Sequence, residues 1–517
     1  MFKTKRYVGF TLVPAIMLTT ALTGCTKESA TEKASTKPVT TAAATQVAKE
    51  SLPPVELNWA MPVAGTGAPK DVALVEAEIN KYLKDKINAT VKMNMIPFGT
   101  WADKSNVIIS SGESVDILFT AGWSNYRQNV IKGAFIDMTD LIDKYAPKTK
   151  AALDPAFLAG SKVNGKNYAL PTQKELAHQY GFLYRADIAE KYNMDLSKVK
   201  TLDDLEPFLK IIKEKEPNMY PILAGQVQNN SLTLNLDYDP IGDATIPGKL
   251  VPGGNTTVIN DLATPETKAI FTLWHKYYTA GYMRKDAATV TDITSDRKAG
   301  KFFLTIGTLK PLANEEISAA NGGFPYKQIY LRPASINGND TQGSMQAISR
   351  TSKNPERAMM FLELLNTDKY LNNLVNNGIE GKHFVKVSDN VIDFAQGVDA
   401  QNSGYYPGVY WVFGNQYLNY FYKGQNTTKW DQFKSFNASA ISSKLMGFNF
   451  DQEPVKTEVA AIANVNAEFN AGLSTGTLDP EVYLPKYLDK LKQAGVDKVI
   501  AEKQKQVDAW LAAGGNK

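Results

Sequence analysis

Hydrophobic and polar positions along most of this chain alternate between a period of two residues and a period near 3.6. Val55-Glu56-Leu57-Asn58-Trp59-Ala60 reads as an opening strand, and after the Gly65-Thr66-Gly67 loop the apolar positions Val75, Ile79, Tyr82, Leu83 and Ile87 share one helical face. Residues 91–96 (VKMNMI) alternate as a strand, and a helix through Val107-Ile108-Ile109 leads to a third strand over 115–120, which ends in Ala121-Gly122 before Trp123. Strands alternating with helices predict an α/β lobe with a mainly parallel sheet, whose ligands sit at the C-terminal ends of the strands. A second such unit starts near Gly181-Phe182-Leu183-Tyr184. Its helix over 202–213 is announced by Thr201 with Asp204 three residues on, and Pro265-Glu266-Thr267 opens another through Phe271, Trp274 and Tyr278. Strands follow at 300–306 and 345–350, then a helix over 354–366. The C-terminal third is aromatic and Asn/Gly-rich over 405–430 and closes with charged amphipathic helices at 485–493 and 499–511.

The N-terminus departs from this pattern. Lys3, Lys5 and Arg6 precede an apolar stretch over 7–22, broken by Pro14 and by threonines and too short for the roughly 20 residues of a membrane span. Leu22-Thr23-Gly24-Cys25 resembles the lipobox of bacterial lipoproteins, so residues 1–24 are expected to be a cleaved export signal and Cys25 the lipidated first mature residue. A thiol can carry diacylglycerol, and two acyl chains make a stable anchor. Cys25 is the only cysteine, so no intrachain disulfide is available. Residues 25–53 are Thr, Ala, Ser, Lys and Glu with little that is large and apolar, a disordered linker by composition.

Roughly 460 residues remain beyond the linker, more than one core usually serves, so two lobes are expected. The formal charge of the whole chain is +4, of which Lys3, Lys5 and Arg6 belong to the signal. That balance argues against a nucleic-acid partner. The three histidines, His178, His275 and His383, have no zinc-type spacing, and there is no Gly-x-Ser-x-Gly elbow or phosphate-binding loop. Paired acids such as Asp203/Asp204 and Glu315/Glu316 read as solvated helix surface. The expectation is a protein without catalytic residues, metal or cofactor.

Four phrases carry a resemblance that spans almost the whole mature chain: residues 133–141 (GAFIDMTDL), 164–172 (NGKNYALPT), 377–384 (NGIEGKHF) and 412–416 (VFGNQ). In this order behind a lipobox, they resemble the family-1 extracellular solute-binding lipoproteins of ABC importers, the LplA/LipO-like group with a DUF3502-type C-terminal region. The resemblance implies a two-lobed periplasmic-binding-protein-like α/β fold, type II-like, with several hinge crossings and extra C-terminal helices. It also implies a monomeric receptor on the extracellular face of the cell membrane that delivers sugars or oligosaccharides, uronic-acid-containing ones among them, to permease subunits. On this reading residues 54–172 with 343–370 form the first lobe, and 173–342 with 371–517 the second, the crossings lying at 168–172 and 332–343.

A sugar cleft needs aromatic faces beside amides and carboxylates. Loops at strand ends offer Met61 after the first strand, Trp123 after the third, Gln173 and Glu175 past the hinge, and Gln226 after Ala224-Gly225. Thr308 and Lys310 follow the strand expected to end at Gly307, Glu380 and His383 lie in the glycine-flanked phrase, and Trp411 in the aromatic run. Burial in the core or placement on the surface is the competing reading for each. A membrane-anchored carbohydrate-active enzyme would share the address and the aromatics but turn its ligand over; a peptide receptor would keep the fold and change the cleft lining.

Overall fold

The chain opens as β1 (Val55–Val63), α1 (Val72–Ile87), β2 (Ala89–Pro97), α2 (Phe98–Ser111) and β3 (Ile117–Thr120). This is a computed structural model describing residues 52–65, 67–225, 236–251, 253–290, 293–400 and 402–515. Both β2 and β3 run parallel to β1, one on each side. Flanked in this way, β1 is buried along most of its length, which accounts for its apolar run Trp59-Ala60-Met61. Helix α1 buries Val75, Ile79, Leu83 and Ile87 at the spacing read from the sequence, and Asn88 in the left-handed region ends it.

After β4 (Leu170–Pro171) the chain passes to a second lobe of β5 (Gln179–Arg185), α3 (Glu206–Lys215), β6 (Tyr220–Ile222), α4 (Pro265–Thr279), β7 (Phe302–Leu309) and β8 (Tyr326–Tyr330). It returns through β9 (Ser335–Ile336) to β10 (Met345–Ile348), α5 (Pro355–Thr367) and α6 (Lys369–Asn377). The first sheet has the order β2-β1-β3-β10-β4, with β10 antiparallel to β3 and to β4. The second has the order β8-β5-β7-β6, in which β5 is antiparallel to both β7 and β8 and only β6 with β7 is parallel. A mainly parallel sheet is therefore right for the first lobe and wrong for the second. There β7 and β8 run in the same direction, joined through a helix at Ala313–Ala320, and β5 is inserted between them.

Each lobe has its own hydrophobic core. The first runs from Leu57 to Phe436 and takes in Leu371, Leu374, Val375, Tyr405, Val409, Val412 and Phe413. The expected transfer of the chain to the second lobe at residue 371 is thus corrected: the aromatic region packs on the first lobe, because its inward residues fill the face left by α1 and α5. This region carries β11 (Phe384–Lys386), β12 (Val391–Phe394) and β13 (Phe421–Tyr422), a small three-stranded sheet, and then α7 (Lys429–Ser439) and β14 (Ile441–Ser442).

The chain ends in α8 (Lys456–Ser474), α9 (Pro480–Gln493) and α10 (Val496–Ala512), whose core includes Phe271 of α4. The C-terminal helices therefore belong with the second lobe. The sequence reading missed α8, whose alanines blur its apolar stripe, and started α9 at Pro485. In fact Asp479 caps the helix by accepting from the Glu481 amide, Pro480 sits in the first turn, and Pro485 lies inside. In α10 the buried ammonium of Lys503 donates to the carbonyls of Ile246, Pro247 and Gly248 at 3.1, 2.8 and 3.1 Å. Replacing it by Lys503→Met would leave three carbonyls without that donor, so a loss of about 1–3 kcal/mol is expected. Urea unfolding checks this: a lowered midpoint is predicted, and an unchanged one would contradict the clamp.

Candidate functional site

Three stretches of chain lie side by side between the lobes. His178, just before β5, pairs with Ser335 of β9 in a two-way backbone bridge, and β9 pairs in parallel with β14. β14 thus runs beside residues 335–336, which lie in the 332–343 stretch expected from the sequence to be a crossing. At their junction the His178 ring lies between two carboxylates, with Nδ1 2.9 Å from Asp340 and Nε2 3.1 Å from Asp237. Burial opposes charge on the ring, but hydrogen bonds to Asp237 and Asp340 outweigh it and raise the imidazole to about 10. Ser335 Oγ is 3.0 Å from His178 Nε2, so Ser335, His178 and Asp340 stand in the order of a nucleophilic triad. The second carboxylate removes that chemistry: Asp237 accepts from both ring and hydroxyl and keeps the imidazole protonated, unable to take the serine proton. Asp239 nearby bonds Ser443 and is pushed up to about 6 by burial.

Beside this junction stands a group of aromatic rings. Trp123 follows β3 in a single turn of tight helix, Phe98 begins α2 directly after β2, and Trp411 comes from the aromatic run. Two of these placements are at C-terminal ends of parallel strands, where α/β sheets bind ligands. Phe98 stacks on Trp411 at 5.6 Å, and Trp123 lies 6.2 Å from Phe98, 6.3 Å from Trp411 and 5.7 Å from Phe119. Trp123 is 56% exposed, yet its Nε1 donates to Gly343 O at 2.9 Å, which fixes a large apolar face in solvent. The same crossing holds its partners: Gly122 N donates to Gln342 O, and Ser344 Oγ donates to the Trp411 carbonyl. Trp123 thus presents an apolar face to solvent, while Phe98 and Trp411 lie half-buried against the first core beside it.

Of the residues singled out from the sequence, Trp123 and Trp411 are brought together here. Phe98 was missed, since a Phe after a Pro at a helix start carries no distinguishing signal. Met61 is corrected: β1 continues to Val63, and Met61 is fully buried in the first core. Gln173 sits on the first crossing, its Nε2 donating to Ala152 O and its own carbonyl accepting from the Gln416 amide, while Oε1 has no partner among the described residues. Glu175 and Lys310 pair with each other at 3.1 Å instead of standing free, and Lys174 and Glu316 extend the network. Those lysines hold the Glu175 carboxyl down at about 2 against the opposing effect of burial. Thr308 is exposed near the end of a strand that runs to Leu309, two residues past the expected stop at Gly307, because β5 pairs with it to the end.

His383 is a structural pin. Its Nδ1 accepts from the Ile379 amide at 2.8 Å and its Nε2 lies 3.2 Å from Asp71, and burial lowers its pKa, consistent with a neutral ring. Gly378 next to it has φ +79°, and a Cβ there would come within 2.4 Å of the ring, which explains one glycine of the 377–384 phrase. Glu380 is exposed and paired with Lys386 at 3.1 Å. Gln226 and Cys25 lie outside the described residues.

Comparison with known proteins bears on this site. Residues 77–379 match the family model described as bacterial extracellular solute-binding protein, and residues 444–512 match a domain of unknown function, DUF3502. A carbohydrate ABC transporter substrate-binding protein of Streptococcus pneumoniae is 35% identical over 442 residues, 84% of this chain and 87% of that one. Lipoprotein LipO of Bacillus subtilis is 25% identical over 355 residues, 62% of this chain and 66% of its own. Among solved structures, the N-glycan transport solute binding protein NgtS of Streptococcus pneumoniae superposes with a TM-score of 0.79 at 32% identity, covering 89% of this chain and 99% of that one. Its complexes with Man1GlcNAc and Man5GlcNAc give 0.71 and 0.68.

The charged junction yields a pH prediction. Because folding raises His178 from an ordinary 6.5 to about 10, its contribution to stability is complete below pH 6.5 and is lost as pH rises through 10. Unfolding midpoints of the wild type and His178→Asn, measured at pH 6 and pH 9.5, are expected to differ most at pH 6 and to converge at the higher pH. An equal gap at both would show that the ring carries no charge at the junction.

Proposed function

The chain belongs to the family of bacterial extracellular solute-binding proteins, and we propose that within it the protein is the receptor of an ABC importer for neutral oligosaccharides, held at the outer face of the cell membrane by lipid on Cys25. Proteins of this kind bind and release; the chain is a receptor and not an enzyme. The observation that carries the ligand class is the exposed indole of Trp123 grouped with the half-buried rings of Trp411 and Phe98 beside the hinge. Pyranose rings present C–H faces that stack on indoles, and their hydroxyls need donors and acceptors at the rim. A uronic acid would call for an uncommitted cation there, whereas Lys174 and Lys310 are both engaged by Glu175. Neutral sugars are therefore the better match.

Capture follows from the hinge. A solute that touches both lobes lowers the energy of a closed arrangement relative to an open one by its differential affinity, and the closed form is what permease subunits would read.

Calorimetry tests the ligand class. Saturable binding of Man1GlcNAc or Man5GlcNAc is expected, and Trp123→Ala should weaken it at least tenfold, equivalent to about 1.4 kcal/mol. Binding of a peptide panel in place of any glycan would contradict the proposal. The anchor is checked by fractionating cells: wild type in the membrane fraction and Cys25→Ala released from it, against the contrary outcome of equal membrane retention.

A further inference from the structure

The segment from Tyr405 to Phe413 presents two different faces. Tyr405, Val409, Val412 and Phe413 point into the core of the first lobe. Tyr406 and Trp411 remain half exposed on the other side, Trp411 in the ring cluster already described and Tyr406 in a second one. That second cluster comprises Tyr406, Phe394 of β12 and Tyr422 of β13, with ring separations of 4.7 Å for Phe394 with Tyr422, 5.8 Å for Phe394 with Tyr406 and 6.1 Å for Tyr406 with Tyr422. All three rings are half buried, and none belongs to the hydrophobic core of the first lobe. The three rings pack on one another outside that core, and each keeps part of its surface in solvent.

The position of the second cluster is tied to the first. Ala64 N, directly after β1, donates to Pro407 O at 3.1 Å, and a Cβ at Gly408, whose φ is +68°, would meet Ala64 Cβ at 3.2 Å. The segment thus lies across the exposed loop at the C-terminal end of β1, the same end of the sheet at which β2 and β3 deliver Phe98 and Trp123. Tyr406 and Trp411 are five positions apart, a reach of at most about 18 Å. Polar groups accompany the rings: Tyr410 bonds Asn377 Oδ1 at 3.0 Å, and its hydroxyl meets those of Tyr406 and Tyr422. Rings edged by converging hydroxyls can stack on one sugar face and hydrogen-bond its rim.

We propose that Tyr406, Phe394 and Tyr422 form a second sugar subsite next to the Trp123/Trp411 subsite, so that the receptor selects glycans long enough to occupy both. This rests on the carbohydrate reading above and extends it from ligand class to ligand length. The first subsite holds one end of the chain in the hinge, and the second takes the sugar units that extend beyond it along the 405–413 segment.

The test is a ratio of affinities in the full-length protein, with Man1GlcNAc as the short probe and Man5GlcNAc as the long one. Wild type is expected to prefer the long glycan, and Tyr406→Ala and Phe394→Leu are each expected to reduce that preference by about tenfold. Phe394→Leu keeps an apolar side chain in place, so it separates loss of a stacking face from collapse of the small sheet. Trp123→Ala should weaken both probes and leave the ratio nearly unchanged. If the two second-cluster variants keep the wild-type ratio, or lower both affinities equally, the second subsite is overturned while the carbohydrate reading stands. If neither glycan binds the wild type, both fall.

Discussion

An imidazole gripped by two carboxylates ties together the segments of chain that join the two lobes. His178 follows the 168–172 stretch, Asp340 lies in the 332–343 stretch, and Asp237 comes from between them, so one buried ring joins three segments distant in sequence. Removing His178 would leave two buried carboxylates facing each other without their cation, a larger loss than the net strength of the intact set. Backbone pairing from His178 to Ser335 and on to Ile441 adds a ladder across all three strands.

The proposed binding surface takes its order from the neighbouring 342–344 stretch. Gly122, Trp123 and the carbonyl of Trp411 are all bonded to residues 342–344, the end of the second crossing. The indole of Trp123 therefore stays in one orientation in solvent, with its conformational entropy already spent before a ligand arrives. Covering apolar area that the free protein leaves wet then contributes directly, at roughly 25 cal/mol per Å². A lone flexible tryptophan at the same place would lose part of that gain to its own ordering.

Much of the frame was legible in the chain itself because its signals are local. The apolar stripe of α1, the strand before Ala121-Gly122-Trp123 and the Pro-containing first crossing depend on residues near one another in sequence, and Trp123 and Trp411 stood out as large rings beside glycines. What was not legible depends on distant partners. Nothing near Glu175 or Lys310 reveals that they will neutralise each other across 135 residues. The same holds for His383, whose ring is taken up by Asp71, and for Asp237, which no local pattern singles out. The boundary at 371 failed for a related reason: lobe membership of the aromatic region is decided by which core its inward residues fill, and either lobe could have offered one.

The central claim is that solute draws two lobes together about a fixed charged junction, and small-angle X-ray scattering measures it most directly. The account predicts a smaller radius of gyration on saturation with Man5GlcNAc, and return to the original value when the intact glycan is removed. Saturation with no change in the scattering curve, or recovery of a shortened glycan, would contradict it.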